Sequence, residues 1–66
     1  MIKMRLKELR EEKGITQTKL AMEIGIKQRA LSSYETGEFE PPLAVIKKLC
    51  DYFGVTSDYL LGFSEF

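Results

Sequence analysis

Apolar residues recur every three or four positions along most of this 66-residue chain. No stretch of four or more residues alternates apolar with polar as a half-buried strand does. Gly14, Gly25, Gly37 with Pro41 and Pro42, Gly54 and Gly62 cut the pattern into five segments. Ile2, Leu6 and Leu9 put one stripe on a first helix over about 2–13, stopped by Gly14 after the cation Lys13. A second helix over 17–24 starts at Thr16, whose hydroxyl can accept from an orphan backbone N–H. Ile15 and Leu20 hold the staple positions around that cap, and Leu20, Ala21 and Ile24 form the inner face. A third runs from about 28 to 36 with Ala30, Leu31 and Tyr34 inward. The fourth opens at Pro41-Pro42, where a fixed φ suits a first turn, and carries Leu43, Ile46, Leu49, Cys50 and Phe53 on one stripe. Gly54 and Val55 close it as a left-handed cap with an apolar contact. A fifth starts near Thr56-Ser57-Asp58, buries Leu60 and Leu61 and stops at Gly62. The pattern predicts an all-α fold of five short helices.

Length adds that residues 1–66 form one small domain, with about 60% of the unfolded surface removed from water. Such a core needs reinforcement. One cysteine and no histidine leave neither an intrachain disulfide nor a Cys/His zinc site, so regular packing and a second subunit remain. No apolar run approaches the roughly 20 residues of a membrane span, and no signal-peptide core is evident at the N-terminus. With the lone thiol, the expected setting is a reducing cytoplasm. An enzyme is not expected. There is no histidine, no nucleophile beside a base, no metal-ligand spacing and too little chain to enclose a substrate. No cofactor or small-molecule ligand is expected either.

Net charge is zero, but its distribution is uneven. Residues 1–34 hold eight Lys/Arg against four Glu, a net of +4, and residues 35–66 hold two Lys against six Asp/Glu, a net of −4. Such a split permits one basic face on a neutral chain, though a plain solvated surface fits it as well.

Two short helices around Gly25 form the pattern of a helix-turn-helix between the second and third segments. At about 100° per residue, Ala30, Leu31 and Tyr34 fix one side of the third helix. Gln28, Arg29, Ser32, Ser33 and Thr36 take the other, and it holds no carboxylate. Phosphates repel Asp and Glu, whereas Gln can pair with adenine, Arg with guanine and Ser with several bases. A solvated face has no need of two Ser, which are mediocre helix formers.

Three stretches, "TQTKLAMEIGI", "ALSSYETGEFEPP" and "VIKKLCDYFGVTSDYLLG", together resemble the Cro and phage-repressor type of helix-turn-helix family, the xenobiotic-response-element class. The resemblance covers residues 4 to 62 and rests on the order of its motifs. It implies a lambda-repressor-like domain that binds double-stranded operator DNA as a homodimer, its third helix in the major groove. Carried onto this chain, it implies base contacts from Gln28 and Arg29 with Ser32 and Ser33 beside them. Phosphate contacts would come from Gln17, Lys19, Lys27 and Thr36, and Arg10 would pair with Glu35 as a structural tie. The chain departs from the family at Lys27, where Ser or Thr commonly caps the third helix, and at Glu38 and Glu40, in a loop that is often basic.

The remaining residues take modest roles. Cys50 reads as a small buried hydrophobe, Lys47 and Lys48 as phosphate contacts or solvated charges, and Met22 as exposed. Tyr59, Phe63 and Phe66, on the fifth helix and the 62–66 tail, are the expected dimer contact. The reading is a sequence-specific, homodimeric repressor of a palindromic operator. A protein-interaction module, such as the antitoxin of a toxin–antitoxin pair, is the alternative, and substitutions at Gln28 and Arg29 separate the two.

Overall fold

The computed structural model describes residues 4–63. Helices run over Leu6–Lys13 (α1), Gln17–Ile24 (α2), Gln28–Thr36 (α3), Leu43–Phe53 (α4) and Ser57–Leu61 (α5), with no strand among the described residues. Each helix sends one leucine to the centre: Leu6, Leu20, Leu31, Leu49 and Leu60 are all 0% exposed. Ala21, Ile24 and Val45 complete this cluster, and no polar side chain among the described residues is buried in it. Two helical positions three or four apart share a face, so one well-placed leucine per helix with a partner a turn away suffices to close five short helices on one core. α2 packs on α3 and α4, α1 against α3, and α4 against α5.

The ends are tied locally. The Thr16 hydroxyl accepts from the Lys19 backbone N–H at 3.1 Å, and Thr56 does the same for Tyr59 at 3.1 Å. The Thr16 cap is the one expected from the sequence, and Thr56 falls within the expected start of the fifth helix, where Ser and Thr satisfy donors that the first turn leaves free. α1 lacks a side-chain cap, but its N-cap residue bridges to α5. The Arg5 backbone N–H donates to the Leu60 carbonyl at 2.8 Å, and Arg5 Nε donates to the Tyr59 carbonyl at 3.0 Å. Chain start and final helix are thereby joined across the core.

The structure corrects the fourth helix. Leu43 is 79% exposed, and the inward residues are Val45 and Leu49. Positions two apart on a helix lie about 200° apart, so Leu43 and Val45 cannot share a face. Apolar residues cover about half of α4, and periodicity alone did not tell which edge of that arc meets the core. Pro42 is the N-cap of α4, so the proline pair precedes the first turn, and the Pro42 carbonyl accepts from the Val45 and Ile46 N–H groups. Cys50 and Leu61 are half-buried where full burial was expected. Ile2 and Phe66 lie outside the described residues.

Candidate nucleic-acid interface

The turn between α2 and α3 is built on Gly25, at φ 77° and ψ 35°. Side chains with a Cβ resist this left-handed geometry, which lets the chain reverse within three residues. Both the Gly25 and Ile26 N–H groups donate to the Ala21 carbonyl at 2.9 Å, closing the end of α2 before Ile26 drops against the core. A Cβ on Gly25 would meet nothing nearer than the Lys48 Nζ at 4.0 Å. The need for glycine is therefore one of backbone conformation, not of space.

From this turn α3 starts at Gln28, with Lys27 as an N-cap that makes no side-chain cap bond. Leu31 is fully buried, and Tyr34 is half-buried and packs on the core, as the period predicts. Gln28, Arg29 and Thr36 are exposed, while Ser32 and Ser33 are half-buried. Arg29 and Ser32 make no side-chain hydrogen bond among the described residues. The Ser33 hydroxyl turns back to donate to the Ala30 carbonyl at 2.7 Å, and Thr36 donates to the Ser33 carbonyl at 3.1 Å. The Thr36 hydroxyl oxygen also accepts from the Glu38 backbone N–H at 3.4 Å, whereas the Ser33 oxygen accepts from no group among the described residues.

A line of side-chain hydrogen bonds sets the position of this face. Arg10 grips Glu35 with two nitrogens, Nε donating to Oε2 at 2.7 Å and Nη2 to Oε1 at 3.1 Å. Its third nitrogen, Nη1, donates to the Ile15 carbonyl at 2.9 Å, in the loop between α1 and α2. Glu35 is 3% exposed, so its charge lies almost wholly out of water and the guanidinium offsets it. The hydrogen bond to Glu35 holds the Arg10 pKa above its ordinary value, against the opposing effect of burial. Glu35 Oε1 also accepts from Gln17 Nε2 at 3.0 Å, and Gln17 Oε1 accepts from Gln28 Nε2 at 2.7 Å. Arg10, Glu35, Gln17 and Gln28 thus form one chain from α1 to the first residue of α3. The Arg10–Glu35 tie is the one that the family resemblance implied. The two Gln bonds were not, because an amide at the start of each of two helices carries no spacing signal until the turn angle is known.

The other expected contacts lie around this line. Lys27 is exposed beside Gln28, and Lys19, also exposed, pairs with Glu23 at 3.2 Å one helical turn away. Thr36 sits at the far end of α3. A concave surface runs between α3 and the following loop, with Lys27, Gln28 and Arg29 on one side and Glu38, Phe39 and Glu40 on the other. Phe39 is 62% exposed there, a residue the periodicity passed over because it falls between helices. Its signal was an aromatic flanked by two acids. Of the expected dimer contacts, Phe63 is 64% exposed, and Tyr59 is half-buried with the Arg5 guanidinium 4.5 Å above its ring. No group of three metal-ligating side chains occurs among the described residues, and no helix there is long and apolar enough to cross a membrane.

A protein-family model described as "Helix-turn-helix" matches residues 6–60. The chain is similar to the SPbeta prophage-derived uncharacterized HTH-type transcriptional regulator YonR of Bacillus subtilis, 40% identical over 57 residues that cover 86% of this chain and 53% of that protein. It is similar to the HTH-type transcriptional activator BcrR of Enterococcus faecalis, 34% identical over 92% of this chain and 30% of that protein. It is also similar to the cryptic phage CTXphi transcriptional repressor RstR of Vibrio cholerae, 31% identical over 98% of this chain and 59% of that protein. The chain spans between about a third and three fifths of the length of these relatives.

Proposed function

We propose, from the premise that this chain belongs to the helix-turn-helix family of transcriptional regulators, that it binds double-stranded DNA in the cytoplasm as a homodimeric repressor of a palindromic operator. The observation that carries the reading is the bonded line from Arg10 to Gln28, which holds the first residue of α3 in place on a face without carboxylates. A reading side chain contributes most when its geometry is set before the ligand arrives, since less ordering then opposes binding. In this reading Gln28 and Arg29 meet base edges, with Ser32 and Ser33 beside them. Gln17, at the start of α2, meets a phosphate with help from the helix N-terminus, and Lys27, Lys19 and Thr36 flank it.

Size supports two copies. The described chain measures 27 × 23 × 20 Å, less than the roughly 34 Å of one DNA turn that separates successive major-groove half-sites. Two-fold symmetry then makes the site an inverted repeat. One relative is named a repressor and another an activator, so the direction of control is tested separately, with a reporter whose promoter overlaps the selected site. Repression predicts that transcription falls when the protein is supplied.

The decisive experiment selects sheared source DNA on the purified protein at about 150 mM salt and sequences what is bound, because salt sets how much non-specific binding survives. An enriched inverted repeat spaced near one helical turn is expected. Equal recovery of every fragment, or recovery of none, overturns the reading in favour of a protein partner.

A further inference from the structure

The concavity beside α3 holds two purely apolar side chains on an otherwise polar surface. Ala30 is half-buried on the wall that α3 forms, and Phe39, 62% exposed, stands on the loop that forms the other. Gln28 and Arg29 line the same concavity. A lone exposed aromatic is ordinary on a protein surface and carries no meaning by itself. This one shares its concavity with the side chains assigned to base reading, and its backbone is fastened to their helix.

The fastening is local. Gly37 closes α3 in the left-handed region, at φ 83°. The Phe39 N–H then donates to the Ser33 carbonyl at 3.3 Å. Thr36 donates to that same carbonyl at 3.1 Å, and its oxygen accepts from the Glu38 N–H at 3.4 Å. Position 39 is thereby tied to the last turns of α3. Less ordering opposes a contact from a residue held in this way.

Chemistry selects what the ring meets. Glu38 and Glu40 flank Phe39 as exposed carboxylates on the same wall, which disfavours a phosphate there. Base edges differ from the backbone in carrying one uncharged apolar mark, the C5-methyl group of thymine in the major groove. Gln28, Arg29, Ser32 and Ser33 present hydrogen-bonding ends, none of which suits that methyl. Ala and Phe are both side chains that do suit it.

We propose that Phe39, with Ala30 on the facing wall, reads the C5-methyl group of a pyrimidine, so that a loop residue determines one position of the operator. The inference rests on the DNA-binding reading and adds to it a base position that the polar residues of α3 do not read. Cytosine methylated at C5 carries the same methyl in the same place, so the methyl itself is what the ring recognises.

Selection from a random synthetic duplex library at about 150 mM salt, run on the wild-type chain, supplies the probe. The recovered duplex is remade with uracil, cytosine or C5-methylated cytosine at each thymine, one position at a time. At one thymine per half-site the wild type is expected to bind uracil about fourfold more weakly, the effect of exposing one buried methyl. It is expected to prefer methylated cytosine over cytosine there by a similar factor. Phe39→Ala is expected to bind thymine and uracil alike at that position, and Phe39→Leu to keep part of the preference. A purely structural role for the ring instead weakens every duplex equally and leaves the wild-type ratio standing. Both variants are expected to melt like the wild type, because the side chain is exposed. The order of thymine and methylated cytosine in the wild type then tells which base the site is built for. A wild type indifferent to uracil at every thymine, or a Phe39→Ala variant that keeps the ratio, overturns the proposal and leaves the DNA reading intact. Failure of the wild type to enrich any sequence overturns both.

Discussion

Arg29 and Gln17 carry different roles in the proposed reading, and substitution separates them. Arg29 is exposed and makes no side-chain hydrogen bond or ion pair among the described residues, so in the proposed reading Arg29→Ala is expected to cost about 1–3 kcal/mol of operator binding and to relax preference at one base position. A uniform loss across all sequences, measured by competition with single-base operator variants, makes Arg29 a phosphate contact instead. Gln17→Ala is expected to weaken every sequence and, in the proposed reading, to blur the position assigned to Gln28, whose amide leans on it at 2.7 Å. Sequence reasoning alone expected only the uniform part. Cys50 gives a second residue-level test. Burial, with help from Asp51, pushes its thiol pKa up, so the protonated form dominates at neutral pH. The unfolded thiol ionises first as pH rises, so this group lowers stability as pH climbs through the ordinary thiol range and is neutral below it. Alkylation at pH 7 to 8, below the ordinary thiol pKa of about 8.5, is expected to run more slowly than for a free cysteine peptide. An equal rate refutes a shielded thiol.

At the scale of helices, the tie between α1 and α3 carries weight out of proportion to its length. Arg10→Met removes the partner of a carboxylate that is 3% exposed, and losing one member of a buried pair costs roughly 3–5 kcal/mol. A chain of this size has roughly 3–10 kcal/mol of total stability. The variant is therefore expected to be largely unfolded or to melt far below the wild type by circular dichroism; a melt within a few degrees of it shows that the pair contributes little. Gly25→Ala isolates the turn. A left-handed residue with a Cβ costs about 1–2 kcal/mol, while Asn tolerates that region better. Urea unfolding is expected to rank glycine above asparagine above alanine at this position, and an unchanged midpoint for alanine removes the turn argument. These elements also mark the limit of what the sequence tells. Helix ends at Gly14, Gly25, Gly54 and Gly62, the cap at Thr16 and the start of α5 near Thr56 are local chemistry and were readable. The inward edge of α4 was not, since Leu43 and Val45 are both plausible core residues until α2 and α5 are placed against the helix. For the same reason the Arg10–Glu35 pair came from family resemblance rather than from spacing, as 25 residues separate its members.

For the whole molecule, neutrality shapes how it should meet a polyanion. Cations near the reading face are few: Lys27 and Arg29 are without an ion pair among the described residues, and Lys19 is engaged by Glu23. Glu38 and Glu40 lie across the concavity from them. A slope of log affinity against log salt of about −2 to −3 per subunit is expected, shallow for a DNA-binding protein. Titration of the operator complex over a salt series measures it, and a much steeper slope means that phosphate contacts extend well beyond these residues. In the proposed reading, affinity then rests on base contacts and on joining two subunits more than on phosphate attraction.

The bonded line from Arg10 to Gln28 also divides α3 into a fixed letter and open ones. Gln28 is wired to the scaffold, so changing it disturbs a chain of bonds that ends in the only nearly buried carboxylate among those described. Arg29 and Ser32 hang outside that wiring, and substitutions there leave the bonds from Arg10 to Gln28 in place. A lineage re-aiming this domain at a new operator therefore has a cheap alphabet and a costly one on the same helix. Retargeting should begin at Arg29 and Ser32, and libraries built to do so in the laboratory should hold Gln28 constant while those two vary.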